Sequence, residues 1–228
     1  LGGSEDHTAI LDSRAGRIGH YAYGPLRRVA DYPLPENLTF AIATSGVVAE
    51  KTGAARSLYN RASSLAAELV ARWHRATGED RPHLGAILAA PEAIERLGAL
   101  VESAGRPPLE VEALRARLDH FIEENQRILP AAADALRQGR WDEFGRWVDA
   151  SQQAAESLLG NQVPETIHLA RAARRLGAVA ASAFGAGFGG SVWAMIEKRR
   201  EPDFLPAWAA DYHAAFPHRA VAARFFVT

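Results

Sequence analysis

The sequence predicts an α+β fold in which a block of helices lies between two groups of short strands. Two β-prone runs, 18–23 and 38–44, precede the helices, and strand patterns return from residue 178 onward. Elements segregated in this way favour α+β over an alternating parallel sheet. The 228 residues leave room for one large domain or two small ones.

The first half of the chain begins with the pattern of a short helix at 5–12. The two early strands follow, separated by a proline-containing connection at 25–36. Leucines and a tryptophan at helical spacing then predict a long helix over 53–77, which Gly78 can end. Short helices interrupted by prolines are expected from 79 to 108.

Three further helices are predicted before the tail. An amphipathic segment covers 110–138 and should be kinked by Pro130, which lacks an N–H and clashes with the preceding turn. A second helix covers 141–159, and a third begins after Pro164 and runs to about residue 176.

The tail changes its period from helix to strand. We expect strands at 178–184, 191–197 and 220–227, a glycine loop at 185–190 and a helix at 203–215. The tail is therefore predicted to be a strand–loop–strand–helix–strand unit.

Composition excludes several classes of function. Lys plus Arg number 26 and Asp plus Glu 27, so the charge balance gives no general attraction to nucleic acid or to an anionic membrane. The uncharged run 176–196 contains five glycines and would make a poor membrane helix. The chain has no Cys, which fits a cytoplasmic protein, and its eight His form no metal-ligand motif.

The sharpest local motif is the loop Gly185-Ala186-Gly187-Phe188-Gly189-Gly190, which satisfies G-x-G-x-x-G. A dinucleotide-binding turn requires a helix directly after these glycines, whereas Val192 and its neighbours predict a strand. A glycine-rich strand–loop–strand can still direct backbone N–H groups at an anion. A tight packing turn is the alternative interpretation.

Asp6 lies in the segment Gly2-Gly3-Ser4-Glu5-Asp6-His7, just before an apolar helical pattern. As an isolated residue it is most simply a helix cap. The functional alternative is a carboxylate that orients or deprotonates a substrate hydroxyl.

Together these motifs resemble the GHMP small-molecule kinases, and most of all the C-terminal two-thirds of their galactokinase-like branch. The resemblance rests on the Asp6 segment, the stretch Ser57-Leu58-Tyr59-Asn60-Arg61 and the loop 185–191. It also rests on a helical pair around Glu124-Asn125 and Asp149-Ala150-Ser151, followed by Val163-Pro164-Glu165.

The resemblance implies a role for each matching residue. Asp6 would be the catalytic carboxylate, Gly3 a backbone contact to the sugar, and Tyr59 a contact to a sugar hydroxyl. The loop would border the phosphate and sugar pocket through Gly185, Ala186, Gly187, Phe188, Gly189 and Gly190. ATP and Mg²⁺ are the implied cofactors, with their main ligands expected in an N-terminal part, and no other metal site is expected.

The implied fold is GHMP-kinase-like. Residues 1–50 would be the remainder of an N-terminal domain. Residues 51–228 would form the C-terminal domain, with a ferredoxin-like ββαβ unit and a helical block. The family's N-terminal sugar-recognition signature and Ser-rich phosphate loop do not occur in these 228 residues, so we expect the chain to be part of a longer protein and inactive alone.

The implied activity is phosphoryl transfer from ATP to the anomeric hydroxyl of galactose or a related sugar. Four departures from the family leave the substrate open. Glu5 and His7 stand beside the acidic residue where the family usually has Met or Gln, and Ala62 and Ser63 replace two arginines. Gln152 replaces the histidine of a Ser-His pair, and Phe184 replaces a threonine. The alternatives are a kinase for another sugar or sugar acid, and a non-catalytic sugar-binding regulator. The sequence leaves the oligomeric state open.

Overall fold

The computed structural model describes residues 5–49, 54–90, 92–103 and 108–228, without the side chains of residues 5, 6, 54–59, 108 and 109. The helices are α1 (Glu5–Asp12), α2 (Ala54–Thr77), α3 (Leu84–Leu88), α4 (Ala93–Glu102), α5 (Pro108–Ile122), α6 (Leu129–Arg137), α7 (Trp141–Ala154), α8 (Pro164–Arg175) and α9 (Glu201–Ala215). The strands are β1 (Arg17–Tyr23), β2 (Leu26–Pro33), β3 (Leu38–Thr44), β4 (Ala180–Ala183), β5 (Ser191–Glu197) and β6 (Arg224–Val227).

The main sheet has four antiparallel strands in the order β4-β5-β3-β6. Helices separate β3 from β4, and α9 separates β5 from β6, so the unit has the βαββαβ order of a ferredoxin-like fold. The predicted α+β class is thereby confirmed, and β3 adds a strand to the expected ββαβ unit. The domain boundary between residues 50 and 51 stays a prediction, although β3 precedes it and lies inside this sheet.

The two faces of the sheet are both covered. On one face, Ala41, Ala43 and Val192 pack with Leu169 of α8 and Trp208 of α9. On the other, Leu38, Ala180 and Met195 pack with side chains of α6, α7 and β2, among them Leu136, Phe144 and Tyr32. Alternate residues of β3 and β5 are therefore buried on opposite sides, as the period of two in a strand requires.

Helices α2 to α5 form a second core, which is built from their apolar stripes. Leu69 and Trp73 of α2 pack against Ile87 of α3, Leu97 of α4 and Leu114 of α5. The predicted helix over 53–77 is confirmed, and Gly78 ends it with a φ of +72°. No helix in the described parts of the chain is both long and apolar enough to cross a bilayer.

The predicted connection at 25–36 is wrong in one respect, because most of it is strand β2. This strand pairs antiparallel with β1 as a separate hairpin, and Arg17 is the partner of Pro33. The prolines did not prevent the strand because they lie outside its interior: Pro25 precedes β2 and Pro33 ends it.

The amphipathic segment predicted over 110–138 is α5 and α6 joined by a π-helical stretch, Glu123–Ile128. Pro130 lies in the first turn of α6, where its missing N–H is tolerated after the change in helical winding. A second π-helical stretch, Ala155–Leu159, extends α7. The first stretch faces α7, since the Ser151 hydroxyl donates to Glu124 Oε1 at 2.6 Å.

Gly145 allows α7 to approach the backbone before β4. A Cβ at this position would lie 1.9 Å from the Val179 carbonyl oxygen, whereas a Cβ at Gly98 of α4 would meet nothing closer than 3.9 Å. We therefore expect Gly145→Ala to destabilise the protein by about 1–3 kcal/mol through overpacking. The control Gly98→Ala should stabilise it by about 0.5–1 kcal/mol. Urea unfolding measures both, and equal effects would contradict the close approach.

Candidate functional site

The glycine loop connects β4 to β5 and adopts a backbone that ordinary residues disfavour. The φ angles are +60° at Gly185, +85° at Gly187, +123° at Gly189 and +83° at Gly190, and Phe188 also has a positive φ of +60°. Strand β5 begins directly after the loop. The dinucleotide-binding interpretation, which needs a helix there, is therefore excluded, and the predicted strand–loop–strand arrangement is confirmed.

Asn161 holds one side of this loop. Its carbonyl oxygen accepts a hydrogen bond from the Phe188 N–H at 2.5 Å, and its side-chain Nδ2 donates to the Ala186 carbonyl at 3.0 Å. A Cβ at Gly187 would lie 2.1 Å from the same Asn161 carbonyl oxygen. Asn161 is itself buried in the turn before α8, so the loop is held by a buried neighbour.

The other side of the loop is held by the turn that follows β3. The Ser45 N–H and hydroxyl donate to the Gly190 carbonyl at 2.8 and 2.7 Å, and the Gly190 N–H donates to the Val47 carbonyl at 2.9 Å. The Val47 N–H in turn donates to Ser45 Oγ at 3.1 Å. The loop is therefore fixed between residues 45–47 and Asn161, which are far apart in sequence.

Tyr212 of α9 holds the turn after β3 from the face of the sheet that α8 and α9 cover. Its buried hydroxyl donates to the Ser45 carbonyl at 2.5 Å. Burial raises the pKa of Tyr212 to about 12, so the hydroxyl keeps its proton at neutral pH and serves as a donor.

Three N–H groups of the loop are open. The main-chain N–H groups of Gly185, Ala186 and Gly189 donate to no group in the described parts of the chain. Open N–H donors on a glycine-rich backbone suit the oxygens of a phosphate. A role of the loop in binding phosphate stays a prediction, and the described residues contain no cluster of three or more His, Asp or Glu placed to hold a metal ion.

The other predicted site residues are only partly described. Asp6 lies in α1 and Tyr59 in α2 by their backbones, but their side chains lie outside the described residues, as does the whole of Gly3. α1 is tied to the β1–β2 hairpin, because Tyr21 Oη donates to the Asp12 carbonyl at 3.0 Å and Arg28 forms an ion pair with Asp12. The roles of Asp6, Gly3 and Tyr59 stay predictions.

A cavity of about 360 Å³ lies beside β4, between α7 and α8. Gln152 lines it and accepts hydrogen bonds from the Ser182 hydroxyl at 3.0 Å and the Ala183 N–H at 2.9 Å. The charged side chains of the cavity pair with each other, Asp149 with Arg174 and Glu156 with Arg171. The residue that departs from the family's Ser-His pair is thus a structural contact to β4.

Sequence reasoning missed Ser45, Asn161 and Tyr212, which position the loop. Two of them carried a local signal, because Ser45-Gly46 follows a strand and Gly160-Asn161 precedes a proline-started helix. Tyr212 carried none, since an aromatic residue on an apolar helix face is ordinary core.

Residues 132–214 match the family model described as GHMP kinases C terminal. This part of the chain is similar to the C-terminal region of the GHMP kinases. The chain is 25% identical over 214 residues to a galactokinase of Roseiflexus sp. (strain RS-1), which covers 93% of this chain and 48% of that protein. It is 29% identical over 213 residues to a galactokinase of Chloroflexus aggregans, covering 92% of this chain and 47% of that protein.

The fold of the chain is also found in a solved structure. A galactokinase of Lactococcus lactis, crystallised with galactose, superposes on all of this chain and 54% of its own with a TM-score of 0.79 and 22% identity. This likeness confirms the GHMP-kinase-like fold. The chain spans about half the length of these curated relatives. The proteins and the family model matched here are kinases, which are phosphotransferases.

The contacts that Asn161 and residues 45–47 make with the glycine loop form a clamp, which can be tested with two alanine substitutions. Gly187→Ala should strain the positive φ and also collide with the Asn161 carbonyl, whereas Gly185→Ala has no atom within 4 Å of its new Cβ. We expect Gly185→Ala to cost about 1–2 kcal/mol for its backbone conformation alone, and Gly187→Ala to cost distinctly more. Urea unfolding and hydrogen exchange at the Phe188 N–H measure the difference. Equal losses for the two variants would refute the clamp.

Proposed function

We propose that the full-length protein is a galactokinase-like sugar kinase that transfers the γ-phosphoryl group of ATP to the anomeric hydroxyl of galactose or a related sugar. The observation that carries the proposal is the clamped glycine loop with three open N–H donors, inside a region that matches the GHMP kinases. Galactokinases aligned over nine-tenths of the chain support the sugar class. The cysteine-free sequence fits a cytoplasmic enzyme.

In this proposal each predicted residue has one task. Asp6 accepts the proton of the sugar hydroxyl or orients that hydroxyl. The sugar oxygen forms a bond to the γ-phosphorus of ATP, and the bond between this phosphorus and the bridging oxygen breaks, so that ADP leaves. Tyr59 and Gly3 bind the sugar, and the N–H groups of loop 185–190 donate hydrogen bonds to phosphate oxygens. ATP, with Mg²⁺ as GHMP kinases in general use it, supplies the phosphoryl group and charge neutralisation. Such transfer depends on positioning and electrostatic stabilisation.

A kinase for a different sugar or sugar acid is the second candidate. Ala62 and Ser63 replace two arginines of the resembled family one turn after Tyr59 in α2, so the surroundings of the sugar contact are changed. A panel of hexoses and hexuronic acids, assayed with ATP and the full-length protein, distinguishes the two. Phosphorylation of galactose above all others supports the first candidate. Turnover of none of the panel supports a sugar-binding regulator.

Asp6 is tested by the substitution Asp6→Asn in the full-length protein. The amide keeps the size of the side chain but cannot accept the hydroxyl proton, so we expect kcat to fall by roughly 10²–10⁴ with little change in sugar affinity. Steady-state kinetics with the sugar and ATP measure both. Glu5→Gln, the neighbouring carboxylate, is the matched control and should leave kcat unchanged. An unaffected kcat in Asp6→Asn would make Asp6 a helix cap only.

Tyr59 is tested by Tyr59→Phe, which removes one hydroxyl. A neutral hydrogen bond contributes about 0.5–1.5 kcal/mol, so we expect KM for the sugar to rise several-fold while kcat changes little. Thermal unfolding of the variant provides the control for packing. A lowered melting temperature with an unchanged KM would place Tyr59 in the core, and other residues would then have to form the sugar pocket.

A further inference from the structure

Arg117 of α5 is a partly buried cation for which the described residues supply no anionic partner. Six arginines among the described residues are buried or partly buried, and five of them pair with a carboxylate within 4 Å: Arg28, Arg72, Arg81, Arg174 and Arg219. Arg117 has no carboxylate at that distance in the parts of the chain that the structure describes. Burying an unpaired charge is costly, so such a group is expected to have a partner.

The contacts that Arg117 does make hold its guanidinium in place. Its Nε donates to the Ala62 carbonyl of α2 at 3.2 Å, and its Nη1 lies 3.3 Å from His120 Nδ1. The guanidinium carbon also lies 5.5 Å from the centre of the Phe121 ring. A guanidinium has five N–H donors, and these contacts use two, so three remain.

His120 does not supply the missing negative charge. A guanidinium can only donate, so His120 Nδ1 is the acceptor and the ring proton lies on Nε2. Burial, together with the charge of Arg117, lowers the pKa of His120 to about 4, and the ring is therefore neutral at neutral pH.

The acidic side chains nearest along the same helix are engaged elsewhere. Asp119 forms an ion pair with Arg115 at 3.0 Å, Glu123 pairs with Arg127, and Glu124 accepts from Ser151. Folding therefore leaves Arg117 with a fixed position, unused donors and a net positive charge, which are the properties of a prepared anion site.

We propose that Arg117, with His120 beside it, forms a binding site for a two-oxygen anion, namely a phosphate or carboxylate group of a small molecule. The planar fork of a guanidinium matches both groups with two parallel N–H···O bonds. The site lies against Ala62, one helical turn after Tyr59. The hydrogen bonds and the ring contact of Arg117 are with Ala62, His120 and Phe121 and not with the glycine loop, and the site does not depend on the kinase activity proposed above.

The test is isothermal titration calorimetry on this chain with potassium phosphate, sodium acetate and ADP, each at constant ionic strength maintained with KCl. We expect saturable binding of at least one anion, weakened about tenfold or more in Arg117→Gln. The matched control is Arg115→Gln, which removes a paired, exposed arginine two residues away and should leave binding unchanged. The anion that binds identifies free phosphate, a carboxylate or a nucleotide as the source.

A second variant keeps the test decisive if Arg117→Gln does not fold. His120→Glu places a carboxylate beside Arg117, which should occupy the guanidinium, abolish anion binding and leave the fold intact by circular dichroism. Absence of binding of all three anions to the unmodified chain would overturn the proposal. Equal loss of binding in Arg115→Gln, or binding retained in His120→Glu, would overturn it as well. These readouts do not involve turnover, so a failed kinase assay leaves them unaffected.

Discussion

Ser45 is the junction on which the site depends. The residue is fully buried at the end of β3, and its N–H, hydroxyl and carbonyl groups are all used: two donate to Gly190 and one accepts from Tyr212. Ser45 therefore ties together the glycine loop, the interior strand of the sheet and helix α9. Since buried polar groups must be hydrogen-bonded, this junction can form only when all three elements are in place.

The edge of the sheet beside the loop is also held by side-chain hydrogen bonds to the backbone. Strand β4 is an outer strand, and an exposed edge would leave backbone groups free to pair with another chain. Gln152 of α7 satisfies the Ala183 N–H, and Arg174 of α8 donates to the carbonyls of Ala178 and Val179. Arg174 also pairs with Asp149 at 2.8 Å. α7 and α8 are thereby joined across the edge, which fixes the turn that carries Asn161.

The sequence was a good guide to the fold where patterns are long and local. The helix over α2, the glycine loop and the strand after it are confirmed, because periodicity and positive-φ glycines are properties of neighbouring residues. Strand β2 was missed because its prolines indicate a connection. The place of β3 between β5 and β6 was missed for a different reason. Its partners lie 147–159 positions later in β5 and 180–186 positions later in β6, and no local pattern encodes pairing over such intervals.

In the candidate site, too, the local features could be predicted from the sequence and the long-range contacts could not. Its glycines can be read from the sequence, but the groups that hold them are distant: Asn161 acts across 25 residues, Ser45 across 145, and Tyr212 reaches Ser45 across 167. Closing such long intervals costs conformational entropy, which the two cores on either side of the sheet must offset. The loop cannot therefore take up its strained backbone as an independent turn. Its geometry is a property of the complete sheet with its helices, so a substitution in the core beneath Ser45 can change the position of the open N–H groups of the loop without contacting them.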